Sequence, residues 1–95
     1  MTAYAVVNPA TGETIKTYPT FTDDQIQAAI TSAQAAYKTW GRTTTVAERA
    51  ALVARVAELH TERADELADL MVSEMGKPRD EAVGEVEFSA AIYQY

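Results

Sequence analysis

Two short strings, Thr22-Asp23-Asp24-Gln25 and Thr45-Val46-Ala47-Glu48, constrain this chain most strongly. In each, a threonine stands three positions before a Gln or Glu. Hydroxyl and side-chain oxygen can then satisfy, reciprocally, the N–H groups that a helix start leaves unpaired. After the first string, Ile26, Ala29, Ile30, Ala33 and Tyr37 recur at helical spacing, and Asp23 and Asp24 complement the positive end of the helix dipole. Trp40-Gly41 predicts the stop, with Gly41 as a left-handed cap. After the second string, Leu52, Val53, Val56, Leu59 and His60 form an apolar stripe, which predicts a helix from Val46 to about His60.

The helical pattern loosens at Thr61-Glu62-Arg63 and resumes at Leu67, Leu70, Met71 and Met75 until Gly76-Lys77-Pro78 ends it. Pro78 suits the first turn of a fourth helix, whose stripe of Ala82, Val83, Val86, Ala90, Ala91 and Tyr93 is interrupted by Gly84. Ahead of the helices, Tyr4 to Val7 and Thr14 to Tyr18 are rich in β-branched and aromatic residues. They flank the turn formers Asn8-Pro9-Ala10-Thr11-Gly12, so they predict a β-hairpin. The fold read from the residues is therefore an N-terminal β-hairpin followed by about four amphipathic α-helices, mostly α. The fourth stripe is still running at Tyr95, and few of the stripe residues are large. The expectation is a chain truncated at its C-terminus, whose helices lack a partner surface.

Composition narrows the function classes. Ninety-five residues suffice for one small core and no more. The 14 acidic and 8 basic residues give a net charge of -6, which opposes binding to nucleic acid or to an anionic membrane surface. With Cys at 0 there is no disulfide framework, thiolate metal site or cysteine nucleophile in these residues. The N-terminus lacks the basic and apolar regions of a signal peptide, and no apolar run approaches the ~20 residues of a membrane span. A soluble, cytoplasmic protein is expected.

Few side chains offer chemistry. His60, the single histidine, has no adjacent nucleophile or orienting group and reads as a half-buried filler or a cation at a helix C-terminus. Asp80, Glu81, Glu85 and Glu87 cluster on the fourth helix, where a solvated or interface face is the simpler reading than paired acid and base. Ser32, Ser73 and Ser89 lie mid-helix without a neighbouring base. Gly76-Lys77-Pro78 lacks the glycine-spaced N–H groups of a phosphate loop and reads as a helix stop, and G-x-G-x-x-G is absent. Trp40, Tyr37, Tyr93 and Tyr95 are expected to be packing residues. No metal site is expected.

The order of motifs resembles the N-terminal segment of the aldehyde dehydrogenase superfamily. The matching strings are Val7-Asn8-Pro9-Ala10-Thr11-Gly12-Glu13, Ala33-Gln34-Ala35-Ala36-Tyr37-Lys38-Thr39-Trp40 and Thr45-Val46-Ala47-Glu48-Arg49. The most specific runs from Glu74-Met75-Gly76-Lys77-Pro78-Arg79-Asp80-Glu81-Ala82 into Gly84-Glu85-Val86 and Tyr93-Gln94-Tyr95. The resemblance covers essentially the whole chain, and its style is most similar to the succinate-semialdehyde dehydrogenase branch.

This resemblance implies that residues 1–95 begin the cofactor-binding domain of an α/β enzyme that oxidises an aldehyde to a carboxylic acid with NAD or NADP. In that family a cysteine thiolate attacks the aldehyde, hydride passes to nicotinamide, and a glutamate activates the water that releases the acid. No catalytic or cofactor-binding residue carries over to this chain, so the segment alone is expected to be inert and to bind no cofactor. By position, Gly84 and Phe88 fall on one wall of the family's substrate tunnel, although ordinary core remains an alternative for Phe88. The implied partners are the remainder of the parent chain and, in the parent enzyme, further copies in a homodimer or homotetramer. The competing reading is a free-standing helical interaction module whose apolar stripes bind another chain.

Overall fold

The computed structural model describes residues 4–95. Strands β1 (Tyr4–Val7) and β2 (Thr14–Tyr18) form an antiparallel hairpin whose register slips by one residue between Val6 and Val7. Its turn closes as composition predicts. The Asn8 carbonyl accepts from the N–H of Gly12 at 2.7 Å, the Asn8 side chain accepts from Ala10 N–H at 2.9 Å, and Gly12 takes a φ of 76° that a residue with a Cβ resists.

Four helices follow: α1 (Asp23–Ala36), α2 (Val46–Glu62), α3 (Ala64–Met75) and α4 (Arg79–Gln94). Both capping boxes form. Thr22 Oγ1 accepts from Gln25 N–H at 3.2 Å while Gln25 Oε1 accepts from Thr22 N–H at 2.9 Å, and Thr45 and Glu48 repeat the exchange at 3.1 and 2.7 Å. The second helix runs to Glu62 rather than about His60, because Arg55 reaches down its own helix to Glu58 and Glu62 and ties the last turns together. The Arg55 guanidinium holds the Glu62 carboxyl below the usual carboxylate range. That pair therefore contributes at neutral pH and fades as pH falls through the lowered pKa.

Gly41 does not take the expected left-handed conformation; the positive-φ glycines are Gly12 and Gly76. Helix α1 instead widens into a π turn over Tyr37–Gly41, closed by Arg42 N–H to Tyr37 C=O at 2.9 Å. Hydroxyls do the capping. Thr39 donates to the Ala35 carbonyl, Thr43 to that of Thr39 and Thr44 to that of Trp40, while the Arg49 guanidinium donates to the carbonyls of Gly41 and Thr44. A Cβ at 41 would lie 3.0 Å from the Tyr37 ring, a tight contact that the ring would have to relieve by shifting a few tenths of an ångström.

Helix α4 packs against both α2 and α3, which touch each other little, and α1 touches only its own π turn. The fully buried side chains are small: Ala57 of α2, Ala68 of α3, and Ala82 and Val86 of α4. The result is a slab one helix thick, 47 × 37 × 14 Å, with a radius of gyration of 17.6 Å. A globular chain of about 100 residues has about 13 Å. Ile26, Ile30, Trp40 and Leu52 stay exposed in the absence of a second layer, and Tyr37, Tyr93 and Tyr95 are likewise exposed rather than packed.

The hairpin meets the slab at α3, through β1 and through its turn. Gly76 ends α3 with a φ of 71°, and a Cβ on it would lie 2.8 Å from Pro9 Cγ of the hairpin turn. Gly76→Ala is expected to combine left-handed strain with this clash, at a cost of about 1–2 kcal/mol. Amide exchange at Asn8 and at position 76 should quicken about five- to thirtyfold, and unchanged exchange would rule out the close approach. Expressed alone, the 95 residues should give helical far-UV circular dichroism, weak cooperativity and self-association through the uncovered stripes; a sharp two-state transition of a monomer would contradict this.

Candidate functional site

Helix α4 has two unlike faces. Ala82 and Val86, four residues apart, are buried against α2 and α3. Gly84 and Phe88 are also four residues apart but displaced by two positions, about 200° round the helix, so they point away from the slab. Phe88 is 67 % exposed, and a Cβ built on Gly84 meets nothing within 4 Å. The two residues singled out in the sequence therefore form a notch beside an aromatic ring. Phe88 is not core within this chain.

Carboxylates border that notch. Glu81 and Glu85 lie on the same side of α4, and Lys77, just ahead of the helix, donates from Nζ to Glu85 Oε2. The bond to Glu85 and the nearby charges of Glu85 and Glu81 raise the lysine's pKa. On the lysine's side the pair is consequently intact at neutral pH and is lost as pH rises through that raised value. One residue past Pro78, Arg79 pairs with Asp65 and Asp69 of α3 and clamps the α3–α4 turn. Sequence reasoning had not identified these bridges. Lys77 and Glu85 are eight residues apart across a helix start, outside the i, i+4 spacing by which pairs are read.

The remaining candidates stay apart from this face. His60 is half-buried, as expected, and its Nδ1 donates to the Val56 carbonyl at 2.8 Å; its ring lies 4.9 Å from that of Tyr93. Ser73 donates to the Leu70 carbonyl, an intrahelical bond that leaves it unactivated. An open groove of about 550 Å³ between α2 and α4 is bordered by Glu58, Glu62 and Glu87 with Ala57 and Gln94, and no cation lines it. Among the described residues no His, Asp and Glu gather in a group able to hold a metal, and no helix is long and apolar enough to cross a membrane. The described residues also offer no phosphate cradle. Gly12 sits in the hairpin turn and Gly76 at a helix C-terminus, so neither glycine turn opens a helix whose N–H groups could face a pyrophosphate. Among the described residues no nucleophile, base and orienting group come together.

Known proteins share this arrangement. The chain is 51 % identical over 92 residues to a succinate-semialdehyde dehydrogenase [NADP(+)] of Deinococcus radiodurans, covering 97 % of this chain and 19 % of that protein. It is 42 % identical over 90 residues to a glutarate-semialdehyde dehydrogenase of Pseudomonas putida, covering 95 % of this chain and 18 % of that protein. The structure superposes with a TM-score of 0.90 and 33 % identity on a succinic semialdehyde dehydrogenase of Streptococcus pyogenes in complex with NADP+, covering 98 % of this chain and 20 % of that one. The chain therefore spans about a fifth of the length of the curated relatives it matches. The pattern of the Aldehyde dehydrogenase family matches residues 1–95, and the chain belongs to the aldehyde dehydrogenase family.

Proposed function

We propose that these residues form the N-terminal helical part of the cofactor-binding domain of an NADP-dependent semialdehyde dehydrogenase, with succinate semialdehyde as its substrate. The observation that carries this reading is the 51 % identity to the Deinococcus radiodurans enzyme across 97 % of the chain. The uncovered stripes of the slab support it, since a further 80 % of an enzyme supplies the layer they lack. In this reading the remainder of the parent chain is the first partner, the parent enzyme is a cytoplasmic homodimer or homotetramer, and the segment alone is inert. Nucleophile, general base and dinucleotide contacts come from outside these residues, so no chemical step is assigned to them.

What the segment contributes is shape. Gly84 and Phe88 face one wall of the substrate tunnel, the glycine widening it and the ring shaping it. The free-standing module reading has no comparable support, because the relatives that match the whole chain are dehydrogenases.

A graft tests both points. Replacing the matching fifth of the Deinococcus radiodurans enzyme with this segment is expected to retain oxidation of succinate semialdehyde coupled to NADP reduction, whereas a folded but inactive graft would overturn the reading. In that graft Phe88→Ala should change relative kcat/KM across aldehydes of different length by about tenfold, the effect of removing one large pocket side chain. Gly84→Ala should raise stability by about 0.5–1 kcal/mol, since the site is a helix interior with free space, while Gly84→Leu should disfavour the bulkier aldehydes. An unchanged substrate profile in both Phe88→Ala and Gly84→Leu would remove the pair from the tunnel.

A further inference from the structure

The notch at Gly84 and Phe88 lies on the most acidic stretch of the chain. Asp80, Glu81, Glu85 and Glu87 share α4 with it, and α4 itself carries one cation, Arg79, which is turned to Asp65 and Asp69 of α3. A semialdehyde of a dicarboxylic acid brings its own negative charge to this wall. Two like charges brought together in a partly desolvated channel repel by an amount that one nearby cation can cancel. Lys77 is the cation so placed. Its ammonium reaches past the first two turns of α4 to Glu85, next to Gly84, with Glu81 also in its field.

We infer that Lys77 is a specificity-determining residue: by pairing with Glu85 it lowers the negative potential along the Gly84–Phe88 wall and so admits aldehydes that carry a carboxylate. This rests on the tunnel placement proposed above. Lys77 acts through Glu85 and touches no reacting atom. Its pairing also explains why a lysine that reads as part of a helix stop has a side chain only 25 % exposed at a turn where solvent is freely available.

The test is made in the active graft, comparing succinate semialdehyde with an uncharged aldehyde of the same carbon count. Lys77→Met is expected to raise KM for the semialdehyde about five- to fifteenfold at low salt, the effect of one uncompensated charge within about 10–15 Å at an effective dielectric near 20. The uncharged aldehyde and both kcat values should change little, and added salt should shrink the difference. Lys77→Met with Glu85→Gln should restore the semialdehyde KM, and Lys77→Arg should behave as the unsubstituted enzyme.

Equal losses for both aldehydes, or no recovery in the double variant, would overturn the inference and leave the pair as a staple of the α4 start. Should Lys77→Met fail to fold, Glu85→Gln alone decides. It should leave the semialdehyde KM unchanged or lower it relative to the uncharged aldehyde, and a selective rise would overturn the inference. The two levels of argument separate cleanly. If Phe88→Ala shifts length preference but Lys77→Met shows no charge selectivity, the inference fails and the tunnel placement stands. If neither Phe88→Ala nor Gly84→Leu changes preference, the placement itself fails.

Discussion

Close packing of small side chains against α4 is the constraint on which the rest depends. Ala57, Ala68, Ala82 and Val86 are the fully buried apolar residues, so the backbones of α2 and α3 can approach α4 without large side chains holding them apart. The same choice limits what the slab can bury. An alanine contributes far less apolar area than a leucine at about 25 cal/mol per Å². The larger residues Ile26, Ile30, Leu52, Leu70 and Phe88 have been placed on outward faces. A unit 14 Å thick with its bulkiest apolar residues outside leaves both faces open to cover, in a chain that spans about a fifth of the length of the relatives it matches.

Around that seam, polar devices set direction rather than supply much stability. Exposed ion pairs contribute little each, so Arg79 with Asp65 and Asp69 is better understood as fixing the angle at which α4 leaves the Gly76 turn. The turn also fixes the hairpin. A Cβ on residue 76 would lie 2.8 Å from Pro9 Cγ, so one glycine both reverses α3 and makes room for the hairpin tip. Arg49 does comparable service at the other end, gathering the carbonyls that the π turn leaves open.

Much of this was legible because its causes are local. Capping boxes, turn formers and the Gly-then-Pro stop act within four or five residues, and each of these elements formed where the residues put it. Gly41 was misread for an instructive reason: glycine after a helix usually marks a left-handed cap, yet here its φ is not positive and three threonines do the capping. The aromatic residues show a different limit. Amphipathic spacing shows which face wants cover and cannot show whether cover lies within these 95 residues. The bridges from Lys77 and Arg79 escaped notice because they span a turn and depend on the angle between helices, which no spacing encodes.

The candidate site follows from the same division of α4 into two faces. Its inner face must be small to pack, and that demand is met by Ala82 and Val86. Its outer face is released from packing within this layer, and there the residues depart from what a helix prefers: a glycine in mid-helix, which costs about 0.5–1 kcal/mol relative to alanine, and a phenylalanine left 67 % exposed. Neither choice helps this segment to fold. Residues that a layer does not need for itself are the ones free to be chosen for what lies against it. A notch and an exposed ring, beside a carboxylate paired with Lys77, are therefore what this face presents to its surroundings.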